Sequence, residues 1–155
     1  MALWSVAPGR DDGRAEYGFE PGLTLLAWSR ADDLRRARSR RDLRRALRAA
    51  YPTLPAAAIA RGADQLWRFV REVHEGDLVA TPLTRRPEVA FGRVTGPYRF
   101  EPAAPEGRRH QRPVSWLRQT PLDRLDPRLR AELEATTGLH RVGRCLLYTS
   151  PSPRD

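Results

Sequence analysis

Phe69-Val70-Arg71-Glu72-Val73-His74-Glu75-Gly76-Asp77-Leu78-Val79 is the stretch in which the chain changes its period. Upstream of Gly76, apolar residues recur at helical spacing. Ile59, Ala63, Leu66, Trp67, Val70 and Val73 share one apolar face, and Trp67 by its place on that face reads as core. Pro55 suits the first position of that helix. Gly76 suits its C-terminal cap. Downstream the period becomes two. Asp77–Thr81 reads as one strand and Val89–Thr95 as the next, with Gly92 marking a bulge. Gly96-Pro97 then turns into Tyr98-Arg99-Phe100, which places both aromatics on one side. Pro102–Gly107 reads as a loop. Gln111–Leu117 reads as a further strand with Val114 and Trp116 on one side. Asp126-Pro127 opens a short helix to about Glu134. Leu139–Val142 closes the sheet.

The other direction reads as clearly. Leu43, Ala46, Leu47 and Ala50 fall at i, i+3, i+4 and i+7 of a helix. Ser39 is a suitable N-cap, and Pro52 ends the helix. Leu23–Trp28 is short and apolar, so it reads as a buried strand, preceded by a turn at Pro21-Gly22. Ala2–Val6 reads as the first strand and Pro8–Gly13 as a turn-rich loop. The order is two strands, two helices, three or four strands, a small helix and a strand. That order predicts an α+β fold built on a small, mainly antiparallel barrel.

The chain has 155 residues, enough for one domain with a single core. Its 28 basic residues are all arginine, against 19 acidic ones, for a net charge of +9. It has no lysine and no asparagine, and Ile59 is its one isoleucine. This bias fits a very GC-rich genome, so part of the arginine excess is mutational. The missing lysine excludes a complete P-loop, a pyridoxal site and a protein-kinase site. No apolar run is long enough to span a membrane. The N-terminus lacks the order of a secretion signal, which makes the cytoplasm the expected compartment.

Little else in the sequence points to catalysis. Ser5, Ser29, Ser39 and Ser115 lack a nucleophile context. His74, His110 and His140 lie far apart without ligand spacing, so no metal site is expected. Glu72, Glu75 and Asp77 near His74 read as helix-end solvation, with Asp77 pinning the helix-to-strand turn. The expectation is a chain with no catalytic residues and no cofactor.

The positive charge is concentrated. Arg30–Arg48 holds nine arginines and three aspartates, six of the nine net charges. Such a helix is either a solvated face or a surface for phosphates. Arg40, Arg41, Arg44 and Arg45 are its candidate backbone contacts. Arg108, Arg109, Arg112 and Arg118 form a second basic group beside the aromatic strand, with Arg108 and Arg109 as further candidates. Arginine suits phosphate because its planar fork donates two bonds at once.

The last eleven residues, Cys145–Asp155, read CLLYTSPSPRD. This string resembles one reading frame of a widely used sequencing adapter. The expectation is a native domain over residues 1–144, a non-native tail over 145–155, and a natural protein that continues past Arg144. The single cysteine then belongs to the tail.

Phe69–Val79, then Phe91-Gly92-Arg93-Val94-Thr95-Gly96-Pro97-Tyr98, then His110-Gln111-Arg112-Pro113-Val114-Ser115-Trp116 together resemble EVE-type domains of the PUA-like superfamily. The likeness is closest to the EVE-like N-terminal domains of bacterial Mrr-type and related modification-dependent restriction endonucleases. It covers residues 2–143. The resemblance implies a small β-barrel whose pocket takes up a modified DNA base flipped out of the duplex. Trp28, Tyr98 and Trp116 are then the stacking candidates, Phe19 lines the same wall, and Arg112 or Thr81 bonds the base edge or its phosphate. The polar lysine and asparagine found in related pockets are absent here, so the identity of the base does not carry over. The implied partner is double-stranded DNA with a modified base, and a nuclease or motor domain lies downstream. RNA binding by a PUA-like module and a purely structural domain remain the alternatives.

Overall fold

Seven strands form one mixed sheet in the order β2-β6-β4-β3-β1-β7, with β5 alongside β6. The strands are β1 (Leu3–Ala7), β2 (Leu23–Leu26), β3 (Leu78–Pro82), β4 (Glu88–Val94), β5 (Arg99–Phe100), β6 (His110–Pro121) and β7 (Gly138–Arg141). The computed structural model describes residues 1–7, 14–28, 30–83, 85–135 and 138–143. The loop expected over Pro8–Gly13, Ser29 and the tail expected over 145–155 lie outside these residues. β1 and β3 pair in parallel, and the other pairings are antiparallel. The outer strands β2 and β7 do not pair with each other among the described residues. The sheet is thus a curled half-barrel, and the α+β, mainly antiparallel expectation holds at that level.

β6 organises the sheet. Its 12 residues pair with β2, β5 and β4, and it extends beyond the expected strand at both ends. The bulge falls where Gly92 predicts it, but the extra residue lies on the opposite strand. Phe91 faces Arg118 and Gly92 faces Trp116, which leaves Leu117 unmatched. A Cβ on Gly92 would sit 2.7 Å from Val114 Cγ1 and 2.8 Å from Trp116 Cε3. Only a glycine lets the two side chains approach this closely.

Helix α1 (Arg14–Tyr17) is a single turn. Helix α2 (Arg40–Ala50) is capped as expected. Ser39 Oγ accepts from the Asp42 amide at 3.2 Å, and the Asp42 carboxylate reaches back to the Arg38 amide at 2.8 Å. Helix α3 (Ala56–Trp67) starts one residue late, with Pro55 in the cap position. It runs into a π turn over Arg68–Glu72 that closes with the Val73 amide on the Arg68 carbonyl at 2.8 Å. Gly76 therefore does not cap the helix. It takes a φ of +93° in the turn to β3, because the wide turn has already ended the helix at Val73. Helix α4 (Pro127–Ala135) is capped by Asp126 Oδ1, which accepts from the Arg128 and Leu129 amides.

Two cores follow. Leu43 and Leu47 of α2 and Ile59, Ala63 and Leu66 of α3 pack on Trp4, Val6, Val79, Val94 and Val114 of one sheet face. On the other face Leu129 and Leu133 of α4 pack on Leu3, Ala80 and Val89. Each such leucine contributes roughly 1.5–3 kcal/mol of burial. Trp67 packs against the first core, as expected, but at its edge. It is half-buried, with the guanidiniums of Arg40 and Arg71 at 5.7 and 5.6 Å from its ring.

Candidate nucleic-acid interface

The strand directions give the sheet two distinct ends. At the near end β1, β3 and β6 begin, while β2 and β4 finish. Three buried polar side chains organise this end. Asp77 sits just before β3. Its Oδ1 accepts from the Ala2 amide, and its Oδ2 accepts from Trp4 Nε1 and the His74 amide, at 2.9 to 3.0 Å. Burial alone would raise the carboxyl, but the three donated bonds outweigh it and hold the pKa below its usual value. Asp77 thus pins the turn, as its position after Gly76 implies, and also ties the N-terminal strand to it.

Arg112, at the start of β6, is only 3% exposed. Its Nε donates to the Gly96 carbonyl at 3.0 Å, and its Nη1 donates to the Phe69 and Val73 carbonyls at 2.9 and 2.7 Å. The π turn leaves those two carbonyls without helical partners, and a cation suits this negative end of the helix. Burial lowers the guanidinium pKa, while Asp77 and Glu75 oppose that shift.

His110 is fully buried. Its Nε2 lies 2.9 Å from the Trp28 carbonyl and its Nδ1 lies 2.7 Å from the Tyr98 hydroxyl. A carbonyl only accepts, so Nε2 carries the proton and Tyr98 donates to Nδ1. The Tyr98 oxygen in turn accepts from the Leu34 amide at 3.4 Å. Burial, the largest influence, lowers the His110 pKa and keeps the ring neutral, and it raises that of Tyr98. Trp28 adopts a left-handed φ of 77°, which a bulky residue rarely does. The His110 bond helps to hold it there. Its ring meets Tyr51 edge-on at 5.4 Å, and Gly62 of α3 leaves room for it.

The far half of the sheet is different. Phe19 and Trp116 are half-buried and meet edge-to-face, with centroids 5.3 Å apart. Trp116 Nε1 donates to the Gly18 carbonyl at 3.0 Å. Thr81 faces Ala90, and two residues along β4 Gly92 faces Trp116. By strand alternation these four share the sheet face of Val79, Val94 and Val114. Thr81 is 4% exposed, yet its hydroxyl has no hydrogen-bond partner among the described residues.

The expected pocket residues therefore divide. Phe19, Trp116 and Thr81 belong to the far half. Trp28, Tyr98 and Arg112 belong to the near end, where their polar atoms hold the fold together. In the sequence His110 opens the third stretch of the resemblance but is otherwise read as an isolated histidine without a role. Its position opposite Phe100 across β5 and β6, with Tyr98 two residues earlier, is the signal that could have found it.

The arginines divide as well. Arg41, Arg45 and Arg48 stand exposed along one stripe of α2, with Arg44 half-buried beside them. None of these four side chains makes an ion pair or hydrogen bond with the described residues. Arg40 differs. It bridges Asp64 of α3 at 2.9 Å and Glu72 of the π turn at 3.2 Å, so it serves as a strut between helices. Arg108 lies over the Tyr17 ring at 5.0 Å, and Arg109 donates to the Ala104 carbonyl at 3.0 Å. No helix among the described residues is long and apolar enough to cross a membrane.

Fold and surface together define a small α+β domain in which a curled mixed sheet carries an arginine-rich helix. The chain matches the family model described as a domain of unknown function, DUF8426, over residues 4–137, and it belongs to that family. No curated protein matches it.

Proposed function

We propose that this domain binds nucleic acid through α2 and reads a modified DNA base, flipped out of the duplex, in the far half of its sheet. The observation that carries the reading is the α2 stripe. Arg41, Arg44, Arg45 and Arg48 project from a well-capped helix and have no ion-pair partner among the described residues. Their charge is therefore available to phosphates. The Phe19–Trp116 pair offers half-buried ring surface, and stacking returns about 1–3 kcal/mol per base. That is comparable with the few kcal/mol that flipping costs. The resemblance to EVE-type, PUA-like domains supports the same reading and extends it. On that resemblance the domain is the sensor module of a modification-dependent restriction endonuclease.

The test is binding to short duplexes, plain and carrying modified bases, measured by fluorescence anisotropy across a salt series. Arg41, Arg44 and Arg45 changed together to glutamate should weaken binding to every duplex. The slope of log affinity against log salt should fall by up to about 0.9 for each phosphate that is no longer neutralised. An unchanged slope returns α2 to a solvated face. Equal affinity for plain and modified duplexes removes base reading, and stronger binding to structured RNA at matched salt moves the domain to an RNA role.

A further inference from the structure

Between the π turn and the Gly96-Pro97 turn lies a cleft of about 270 Å³. Val70, Val73 and Pro97 give it apolar wall, while Arg71, Arg112 and Glu75 give it charge. Arg112 sets this cleft apart. An arginine so deeply buried is almost always paired with an anion. Here Nε and Nη1 bond three neutral carbonyls. No carboxylate bonds the guanidinium among the described residues, and Asp77 is engaged by Ala2, Trp4 and His74. Nη2 makes no hydrogen bond to the described residues. The cleft thus holds a fixed positive charge with an unused donor.

Arg71 adds a second fixed charge. Its Nη2 donates to the carbonyls of Arg35 and Ala37, and its guanidinium lies over the Trp67 ring. Arg112 and Arg71 line the cleft with Glu75, and the Asp77 charge also acts on Arg112, yet no carboxylate bonds the Arg112 guanidinium among the described residues. Both cations are held by backbone carbonyls before any ligand arrives, which lowers the ordering cost of binding. Planar guanidinium forks match tetrahedral oxyanions. The volume suits a phosphate with its sugar and falls below the range of about 300–1,000 Å³ usual for drug-sized ligands.

We propose that this cleft is a phosphate site, in which Arg112 Nη2 donates to a phosphate oxygen and Arg71 supplies the second charge. The phosphate is either free or part of a nucleotide chain. Glu75, which lines the same cleft, is its built-in competitor. This site is separate from the base-reading face in the far half of the sheet and stands or falls without it.

The experiment follows the arginine Nε–H signals of the full chain by NMR. Sodium phosphate is titrated at constant ionic strength, balanced with sodium chloride, followed by a 5′-phosphorylated dinucleotide and its unphosphorylated counterpart. The Arg112 and Arg71 signals should shift saturably with phosphate or with the phosphorylated dinucleotide, and stay still with chloride and with the unphosphorylated one. Response to both assigns the site to phosphate groups in general. Response to the dinucleotide alone assigns it to nucleic-acid phosphate. Glu75→Gln, at an exposed position, should tighten binding by about three- to tenfold through removal of one like charge. A non-saturating shift that chloride reproduces overturns the proposal, and so does an unchanged affinity in Glu75→Gln. Neither result would alter the salt slope that tests α2.

Discussion

The near end of the sheet and its far half use polar groups in opposite ways. At the near end Asp77 accepts three hydrogen bonds, Arg112 donates three, and His110 is bonded through both ring nitrogens. In the far half Thr81 buries a hydroxyl that bonds nothing among the described residues, and the half-buried Phe19–Trp116 pair lies in the same half. Satisfied buried networks specify a fold and are costly to break. An unsatisfied buried hydroxyl carries a standing cost that a bound group can remove. Asp77 and His110 are taken up in building the domain, the Thr81 hydroxyl is open to a ligand, and Arg112 does both, through three bonded carbonyls and an Nη2 that bonds none of the described residues.

Breaking the near end should have the largest effect. Asp77→Ala would strand the Ala2 amide, the His74 amide and the Trp4 indole in the interior. Each stranded buried donor costs about 1–3 kcal/mol, so a loss of the order of 4 kcal/mol is expected in urea unfolding. A loss below about 1 kcal/mol would mean that water or a neighbour replaces the carboxylate with ease.

His110 gives the next effect and adds a pH signature. His110→Phe removes the bonds to Tyr98 and the Trp28 carbonyl and should cost about 2 kcal/mol, from two broken bonds. The folded-state pKa of His110 lies below its ordinary value of 6.5. On acidification the unfolded chain therefore takes up this proton first. The contribution is fully present above pH 6.5 and is lost as the pH falls from there towards the folded pKa. His140 is shifted the same way by burial and acts in the same window. Denaturation midpoints between about pH 7.5 and about 5 should fall less steeply in His110→Phe than in the parent. Equal slopes would show that His110 does not govern that window.

These residues also mark how far the sequence could be read. The helices were legible because Leu43 and Leu47, and Ile59, Ala63 and Leu66, repeat at helical spacing, and because Ser39 and Asp126 are local caps. The succession of strands along the chain was legible from alternation broken by glycine and proline, but the parallel pairing of β1 with β3 was not. The π turn was not, because Arg68–Glu72 continues the helical period and only its Val73–Arg68 closure differs. Nor was the division of the arginines. Arg40 and Arg41 are neighbours in a uniform basic run, yet Arg40 meets Asp64 and Glu72, 24 and 32 positions away, while Arg41 bonds no side chain among the described residues. Tyr98 and Arg112 suited a pocket by residue type and both line the cleft beside the π turn, but their bonds to partners distant in sequence were not legible. Periodicity records which face a residue occupies and carries no information about which distant atom will bond it.

The smallest expected effect is the sharpest test of the contrast, because its sign is opposite to the others. Thr81→Val replaces the unbonded hydroxyl with a methyl group of nearly the same shape. At a saturated site that change would leave a partner stranded. Here no group among the described residues loses a bond, and the desolvation cost of the hydroxyl disappears, so a gain of about 0.5–1 kcal/mol is expected. If the hydroxyl serves a flipped base, the same variant should lose discrimination between modified and plain duplexes while gaining stability. Trp116→Ala should lose discrimination too, but with some loss of stability because it packs on Phe19. A destabilised Thr81→Val would reveal a bonded hydroxyl and make the far half an ordinary part of the core. A stabilised variant with unchanged discrimination would leave the contrast between the two ends intact and move the base away from Thr81.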